Sequence, residues 1–240
     1  MKQTEFDDLI AAVLVGGKGT RLRSVVSKQP KVLATVKGQP FLTFLLENLN
    51  ISGINCVVLC TGYLGKQIQD QLGNSCGHLQ LVYSQEPSPL GTAGALRMAL
   101  ALLKSDPVLV MNGDSFCQTD LKKFWTWHCS QKAEATILLT EVPDTKRYGG
   151  VKIDTHGRII EFEEKNSQGQ SGWINAGIYL LSQRLLLTIP DDRPVSLERE
   201  VFPHWIGRGL LGYQNYGSFL DIGTPESYAE AERFFASNVS

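Results

Sequence analysis

No C-x-x-C pair, no histidines at metal-ligand spacing and no block of like charge occur in the 240 residues of this chain. Each absence removes a class of protein. The five cysteines (Cys56, Cys60, Cys76, Cys117 and Cys129) are odd in number and scattered. They read as core thiols of a reducing compartment, against a disulfide scaffold or a zinc ribbon. His78, His128, His156 and His204 share no zinc-motif spacing. No apolar run approaches the roughly 18 residues of a membrane span. The first eight residues are polar and acidic, unlike a secretory signal. Lys and Arg number 23 against 24 Asp and Glu, a net charge of -1. That leaves no basic stripe for nucleic acid or an anionic membrane. A cytoplasmic protein with neither partner is the expectation, although a locally basic pocket stays possible.

Two nucleotide-binding signatures are missing as well. No G-x-x-x-x-G-K-[ST] phosphate loop occurs. The dinucleotide fingerprint fails because position 22, where its third glycine would fall, is Leu22.

What is present begins with the apolar run Leu9 to Val15. It empties into Gly16-Gly17-Lys18-Gly19-Thr20-Arg21-Leu22-Arg23, and Pro30-Lys31 follow. A buried strand opening into a glycine-rich basic loop suits phosphates. Glycines bring backbone N–H groups close to an anion, and Arg21 and Lys31 add charge.

Strand and helix patterns alternate through the first half. Strands are expected at Leu9 to Val15, Cys56 to Cys60, Leu79 to Tyr83 and Val108 to Met111. Helices are expected at Phe41 to Asn50, Leu64 to Leu72, Thr92 to Leu103 and Leu121 to Ser130. Such alternation implies right-handed crossovers and a mostly parallel sheet. The second half is richer in strands: Ala135 to Val142, Gly150 to Ile153, Arg158 to Glu163 and Trp173 to Leu181, with a hairpin turn at Asp154 to Gly157. Short helices are expected at Gln183 to Thr188 and Leu197 to Ile206. A last helix starts with Thr224 as N-cap and Pro225 behind it. The organisation expected is α/β, one domain over 1–240 with two lobes. A Rossmann-like nucleotide-binding lobe spans about 1–132, and a β-rich acceptor lobe spans about 133–240.

Asn112-Gly113-Asp114 follows one strand pattern, and Asp221 ends another, Ser218-Phe219-Leu220. Ligands of open parallel sheets bind beyond the carboxyl ends of strands. Two aspartates there suit one Mg²⁺, a hard ion that prefers carboxylates and phosphates. Glu86 opens the stiff Pro87 to Pro89 loop, with Gly91 and Thr92 behind it. Its carboxylate suits the paired N–H donors of guanine. Glu161 to Lys165 alternates at a strand end and reads on its own as a solvated charge cluster.

Taken in order, these motifs resemble the sugar-1-phosphate nucleotidyltransferases. The matching elements are Gly16-Gly17-x-Gly19-Thr20-Arg21-Leu22 with Pro30-Lys31, Gly91-Thr92-Ala93-Gly94, Asn112-Gly113-Asp114, Glu164-Lys165, Asn175-Ala176-Gly177 and Asp221-Ile222-Gly223-Thr224-Pro225. Together they cover about residues 9–236. Arg21 to Val26, Gly62-Tyr63-Leu64-Gly65 and Arg147-Tyr148-Gly149 look most like the D-glycero-D-manno-heptose 1-phosphate guanylyltransferases. Mannose-1-phosphate guanylyltransferases look similar but often carry a C-terminal left-handed β-helix, for which this chain is too short. One departure is Val15, where the family usually has Ala; the larger side chain bears on the pocket beside base or ribose.

The resemblance implies the nucleotide-diphospho-sugar transferase fold and a set of roles. Gly16, Gly17, Gly19 and Thr20 hold the nucleotide. Arg21 grips the β- and γ-phosphates, and Lys31 neutralises charge near the α-phosphate. Glu86, Gly91 and Thr92 lie at the base, and Asp114 and Asp221 hold Mg²⁺. Gly149, Glu164 and Asn175 bind the sugar, and Lys165 its 1-phosphate. The substrates implied are GTP, or another NTP, and a sugar 1-phosphate. A uridylyl- or thymidylyltransferase is the same-class alternative. A catalytically inactive regulatory subunit that binds sugar nucleotide is the alternative from another class.

Overall fold

The computed structural model describes residues 4–17, 19–22, 25–26, 29–163 and 170–238. Runs rich in Val, Ile, Leu and Ala build its central sheet, because strands covered on both faces must be apolar throughout. Ile10–Leu14 pairs in parallel with Cys56–Thr61 on one side and Val108–Asn112 on the other. Leu79–Gln85 extends the parallel set beyond Cys56–Thr61. Past Val108–Asn112 the sheet turns mixed. Gly172–Leu181 runs antiparallel to both Val108–Asn112 and Ala135–Val142, and Leu210–Asn215 closes that edge in parallel with Ala135–Val142. The short Ser75–Cys76 closes the opposite edge, making eight strands.

Side chains alternate across each strand, so each face gathers its own core. Ala11, Val13, Leu59, Leu109 and Ile178 meet the helices Phe41–Ile51, Leu121–Gln131 and Pro225–Asn238 on one face. There Phe44 stacks on Phe235 with ring centroids 3.9 Å apart, and Phe116 meets Phe235 edge-on at 5.1 Å. Ala12, Val110, Ile137 and Tyr179 meet Gly91–Ala99, Gln183–Leu187 and Phe202–Trp205 on the other. No helix among the described residues is long and apolar enough to cross a membrane.

Three elements differ from expectation. The helix expected to reach Leu103 ends at Ala99. Tighter bonds from Leu102 N–H to the Ala99 carbonyl and Leu103 N–H to the Leu100 carbonyl turn the chain and bury Leu103. The helix expected over Leu197 to Ile206 is a π-helical turn, Leu197–Val201, followed by Phe202–Trp205. Leu210–Asn215 has no strand-like alternation to announce it, and its register against Ala135–Val142 makes it a strand. The expected hairpin is present. Val151–Ile153 and Ile159–Phe162 pair antiparallel, and Asp154 Oδ1 accepts from the N–H groups of His156 and Arg158, each at 2.9 Å.

Candidate active site

The carboxyl ends of Ile10–Leu14, Leu79–Gln85 and Val108–Asn112 open into one cleft of about 610 Å³. Gly16, Gly17, Gly19, Thr20 and Arg21 form one wall, from the loop that follows the first strand. Gly19 has a left-handed φ of +57°, and a Cβ there would lie 2.9 Å from Lys31 Cβ. A glycine is what lets this loop lie against Lys31.

Lys31 Nζ donates to Asp114 Oδ2 at 2.7 Å, and both residues line the cleft. Gly113 sits just behind. A Cβ at Gly113 would stand 2.5 Å from Val15 Cγ1, so the bulk of Val15 is accommodated where residue 113 has no side chain.

Glu86, Gly91 and Thr92 also line the cleft. Glu86 Oε2 accepts from Leu90 N–H at 2.9 Å. Oε1 lies close over two glycines, since a Cβ at Gly16 would be 2.8 Å from it and one at Gly62 2.5 Å. Burial raises the Glu86 carboxyl above its ordinary value, and the Leu90 N–H partly opposes that shift. Cys60, also in the lining, is pushed up to about 12 by burial and by the charge of Glu86. It stays a thiol and supplies no nucleophile. Gly91 has φ +76° and faces the Val195 carbonyl, which accepts from Ala93 N–H at 3.0 Å and from Gly94 N–H at 3.2 Å. Two N–H groups near the start of this helix, those of Ala93 and Gly94, are thus satisfied within the protein.

Asp221 ends a short strand, Phe219–Asp221, that pairs antiparallel with Ser115–Cys117. Its backbone neighbours Asp114, because Ile222 N–H donates to the Asp114 carbonyl at 2.9 Å. The Asp221 carboxylate accepts from Arg147 Nη2 and from Gly223 N–H. Arg147 also donates to Ser227 Oγ at 2.9 Å, tying the turn at 145–149 to the last helix. Burial first, then the charge of Asp221, pushes the neighbouring Tyr148 hydroxyl up to about 12.

Gly149 is buried, has φ +84° and donates its N–H to the Thr145 carbonyl at 2.9 Å. Asn175 stands where the pairing of Gly172–Leu181 with Ala135–Val142 slips register, between Asn175 and Tyr179. Such a bulge bends the strand and re-aims its side chains. Asn175 Oδ1 accepts from Gly177 N–H at 2.8 Å, closing the bulge. Gly177 in turn lies against the Asn112 and Ser115 side chains, each 2.8 Å from where its Cβ would be. The bulge therefore rests on the corner that carries Asp114.

Among the described residues, eighteen line the cleft, ten of them at expected positions: Gly16, Gly17, Gly19, Thr20, Arg21, Lys31, Glu86, Gly91, Thr92 and Asp114. A glycine-rich loop, the side chains of Arg21 and Lys31, the carboxylates of Glu86 and Asp114 and the strand ends Leu14 and Asn112 meet in one space. The nucleotidyl transferase family model matches residues 10–238. The chain belongs to that family. This nucleotidyltransferase is 38% identical over 222 residues to the mannose-1-phosphate guanylyltransferase of Mycobacterium tuberculosis, covering 91% of this chain and 62% of the relative. It is 35% identical over 224 residues to the D-glycero-alpha-D-manno-heptose 1-phosphate guanylyltransferase of Aneurinibacillus thermoaerophilus, covering 93% and 96%. The crystal structure of HddC from Yersinia pseudotuberculosis complexed with GMP-PN superposes with a TM-score of 0.83 at 32% identity, covering 95% of this chain and 99% of that one.

Other expected positions of the nucleotidyltransferase lie elsewhere. Asp221, Gly149 and Asn175 are not among the residues that line the cleft. Glu164 and Lys165 lie outside the described residues. Sequence reasoning missed three contributors. Arg147 engages Asp221, and Ser227 accepts from the same Arg147 nitrogen. Arg147 stands inside the Arg147-Tyr148-Gly149 motif, which was the available signal. Glu198 binds Thr92 from the π-helical turn, and the sequence around it read only as a helix.

Proposed function

We propose that this chain transfers a guanylyl group from GTP to a sugar 1-phosphate, D-glycero-D-manno-heptose 1-phosphate, and releases pyrophosphate. The observation that carries the proposal is the cleft itself, which Arg21, Lys31 and Glu86 line together. The name and near-complete coverage of the Aneurinibacillus relative support the heptose, and the bound GMP-PN of HddC supports the guanine nucleotide.

An oxygen of the sugar phosphate attacks the α-phosphorus in line, and the bond to the β-phosphate's bridging oxygen breaks. The nucleophile is already an anion, so no general base is needed. Catalysis then consists of neutralising and aligning two anions that repel each other. Arg21 takes the leaving β- and γ-phosphates, and Lys31 screens the α-phosphate. Glu86 accepts from guanine N1–H and N2–H₂, while Gly149, Glu164, Lys165 and Asn175 hold the sugar phosphate.

Asp114 and Asp221 fit a divalent cation by their chemistry. They are hard oxygen donors with neighbouring backbones, and among the described residues no cluster of three or more His, Cys, Asp or Glu competes for a metal. Asp114 and Asp221 would hold Mg²⁺, which when bound would supply Lewis-acid stabilisation of charge on the α-phosphate.

The test crosses GTP, UTP, dTTP and ATP with heptose, mannose and glucose 1-phosphates and measures pyrophosphate release. The highest kcat/KM is expected for GTP with the heptose phosphate. A second reading, mannose 1-phosphate as acceptor, is favoured by the name of the Mycobacterium relative, of whose length this chain spans 62%. It takes the heptose's place if mannose 1-phosphate is used better. Silence across the whole panel would overturn both.

A further inference from the structure

Glu198 sits in the π-helical turn Leu197–Val201, away from the cleft lining described above. Single π turns often mark positions where a side chain must be presented at an unusual angle. Here the turn delivers one carboxylate to three hydroxyl groups. Thr92 Oγ1 donates to Glu198 Oε2 at 2.9 Å, and so does Ser196 Oγ at 2.9 Å. Tyr179 OH donates to Glu198 Oε1 at 3.4 Å and accepts from Asn175 Nδ2 at 3.1 Å. Thr92 Oγ1 also accepts from Leu197 N–H at 2.8 Å, which orients its hydroxyl proton toward the carboxylate.

These contacts join the two ends of the site. Thr92 opens the helix Gly91–Ala99 and lines the nucleotide cleft. Asn175 stands at the bulge on the acceptor side, and between them lies Tyr179, wholly buried. Burial, reinforced by the charge of Glu198, holds the Tyr179 hydroxyl protonated and so keeps it a donor. The Thr92 and Ser196 bonds at 2.9 Å are charge-assisted and stronger than neutral ones, while the Tyr179 contact at 3.4 Å is longer and weaker. An apolar contact at the same place would hold the elements together without fixing the angle between them.

We propose that Glu198 is a positioning residue that sets the distance between the nucleotide subsite and the acceptor subsite. The inference rests on the transferase reading above. In-line attack needs the two reacting atoms about 3–3.5 Å apart, and a misplacement of about 1 Å costs roughly a hundredfold in rate. Loss of the strut should therefore strike turnover of the ternary complex and spare the binding of nucleotide alone.

Three variants test this: Glu198→Ala, Glu198→Gln and Tyr179→Phe. Glu198→Ala should lower kcat by roughly thirty- to a hundredfold, on the misplacement scale above, with the Kd for GTP alone changed by less than about threefold. Gln keeps the span and one acceptor oxygen, and hydroxyl groups can reverse roles to meet its amide. It should recover at least about tenfold of that loss. Tyr179→Phe cuts the strut and keeps the ring, and serves should Glu198→Ala fail to fold; its kcat should fall about three- to tenfold by the same reasoning. Hydrogen exchange gives a readout without turnover. Amides of 91–96 and 172–179 should exchange faster together in Glu198→Ala, with the strands at 10–14 and 56–61 unchanged. A Glu198→Ala enzyme with wild-type kcat, a GTP Kd that weakens as much as kcat falls, or unaltered exchange in 172–179 would overturn the proposal. Wild-type enzyme inactive on every substrate pair would remove the transferase reading instead, and the exchange experiment would still decide the strut.

Discussion

Lys31 and Asp114, 83 positions apart in the chain, meet at 2.7 Å, and the two partners are unequally exposed. The Lys31 side chain is 10% exposed and that of Asp114 45%. Removing either charge leaves the other alone, and the consequences differ. A lone Asp114 reaches water easily, whereas a lone Lys31 ammonium stays largely buried. Asp114→Asn should therefore destabilise the fold more than Lys31→Met, by about 1–3 kcal/mol, the usual range for an unsatisfied buried group. Urea titrations of both variants provide the comparison. Both should also lower kcat, by about a hundredfold or more if each acts on transition-state charge. Equal destabilisation by the two variants would show that the burial asymmetry has no energetic weight.

Asp221 offers a contrasting case. Its partner Arg147 is 30% exposed and retains Ser227 after the carboxylate is gone. Asp221→Ala should abolish turnover while the circular dichroism spectrum and cooperative melting persist. A variant that keeps even a tenth of wild-type kcat would show that Asp221 only braces the turn at 145–149.

The role proposed for Glu86 links base choice to pH. Its carboxyl is raised by burial. As the medium is acidified it takes up a proton at a higher pH than an exposed glutamate would. The protonated group becomes a donor and loses its match to the two guanine donors. Discrimination between GTP and UTP, as the ratio of kcat/KM values, should therefore collapse on the acid side, starting above the ordinary glutamate range. Glu86→Gln should discriminate weakly at every pH and show no such acid limb. A wild-type ratio that stays level from neutral pH down to pH 4.5 would remove Glu86 from base selection.

His128 makes a stability prediction. It lies buried between the Leu121–Gln131 helix and the sheet, with Nδ1 2.7 Å from Thr136 Oγ1. Burial lowers its pKa from 6.5 to about 4, with the charge of Glu134 partly opposing. Between those values the unfolded chain binds a proton that the folded protein refuses. Stability should thus be full above pH 6.5 and fall as pH drops toward 4, by up to about 3 kcal/mol at 1.36 kcal/mol per pK unit. His128→Gln should flatten that slope in melting experiments run from pH 7 to pH 4.

Much of this was legible in the chain. Leu9 to Val15 and Val108 to Met111 announced buried strands because they are covered on both faces and stay apolar throughout. The loops behind them announced the cleft, since glycine and cation density after a buried strand has few other uses. Leu210–Asn215 was illegible because an edge strand with Gly212 and polar residues at its end carries no alternation. Its place comes from pairing with Ala135–Val142. Glu198 was illegible for another reason. A carboxylate next to charged Arg199 and Glu200 looks solvated in sequence, and only the π turn directs it inward to Thr92 and Tyr179. Local pattern reports local burial, whereas contacts between residues 92, 175 and 198 belong to the assembled fold.

The antiparallel strand Gly172–Leu181, stitched between Ala135–Val142 and Val108–Asn112, gives the molecule a division of labour. The strands that carry Asn112 and Asn175 belong to one eight-stranded sheet, whose pairing is interrupted by the register slip between Asn175 and Tyr179. Under the proposed roles, the sheet sets the geometry of the site and carries Asn175, while the loop behind Leu79–Gln85 carries Glu86. On those same roles, a new sugar would call for changes at the 143–150 turn and a new base for changes in the Glu86 loop. One scaffold of this kind can supply many activated sugars.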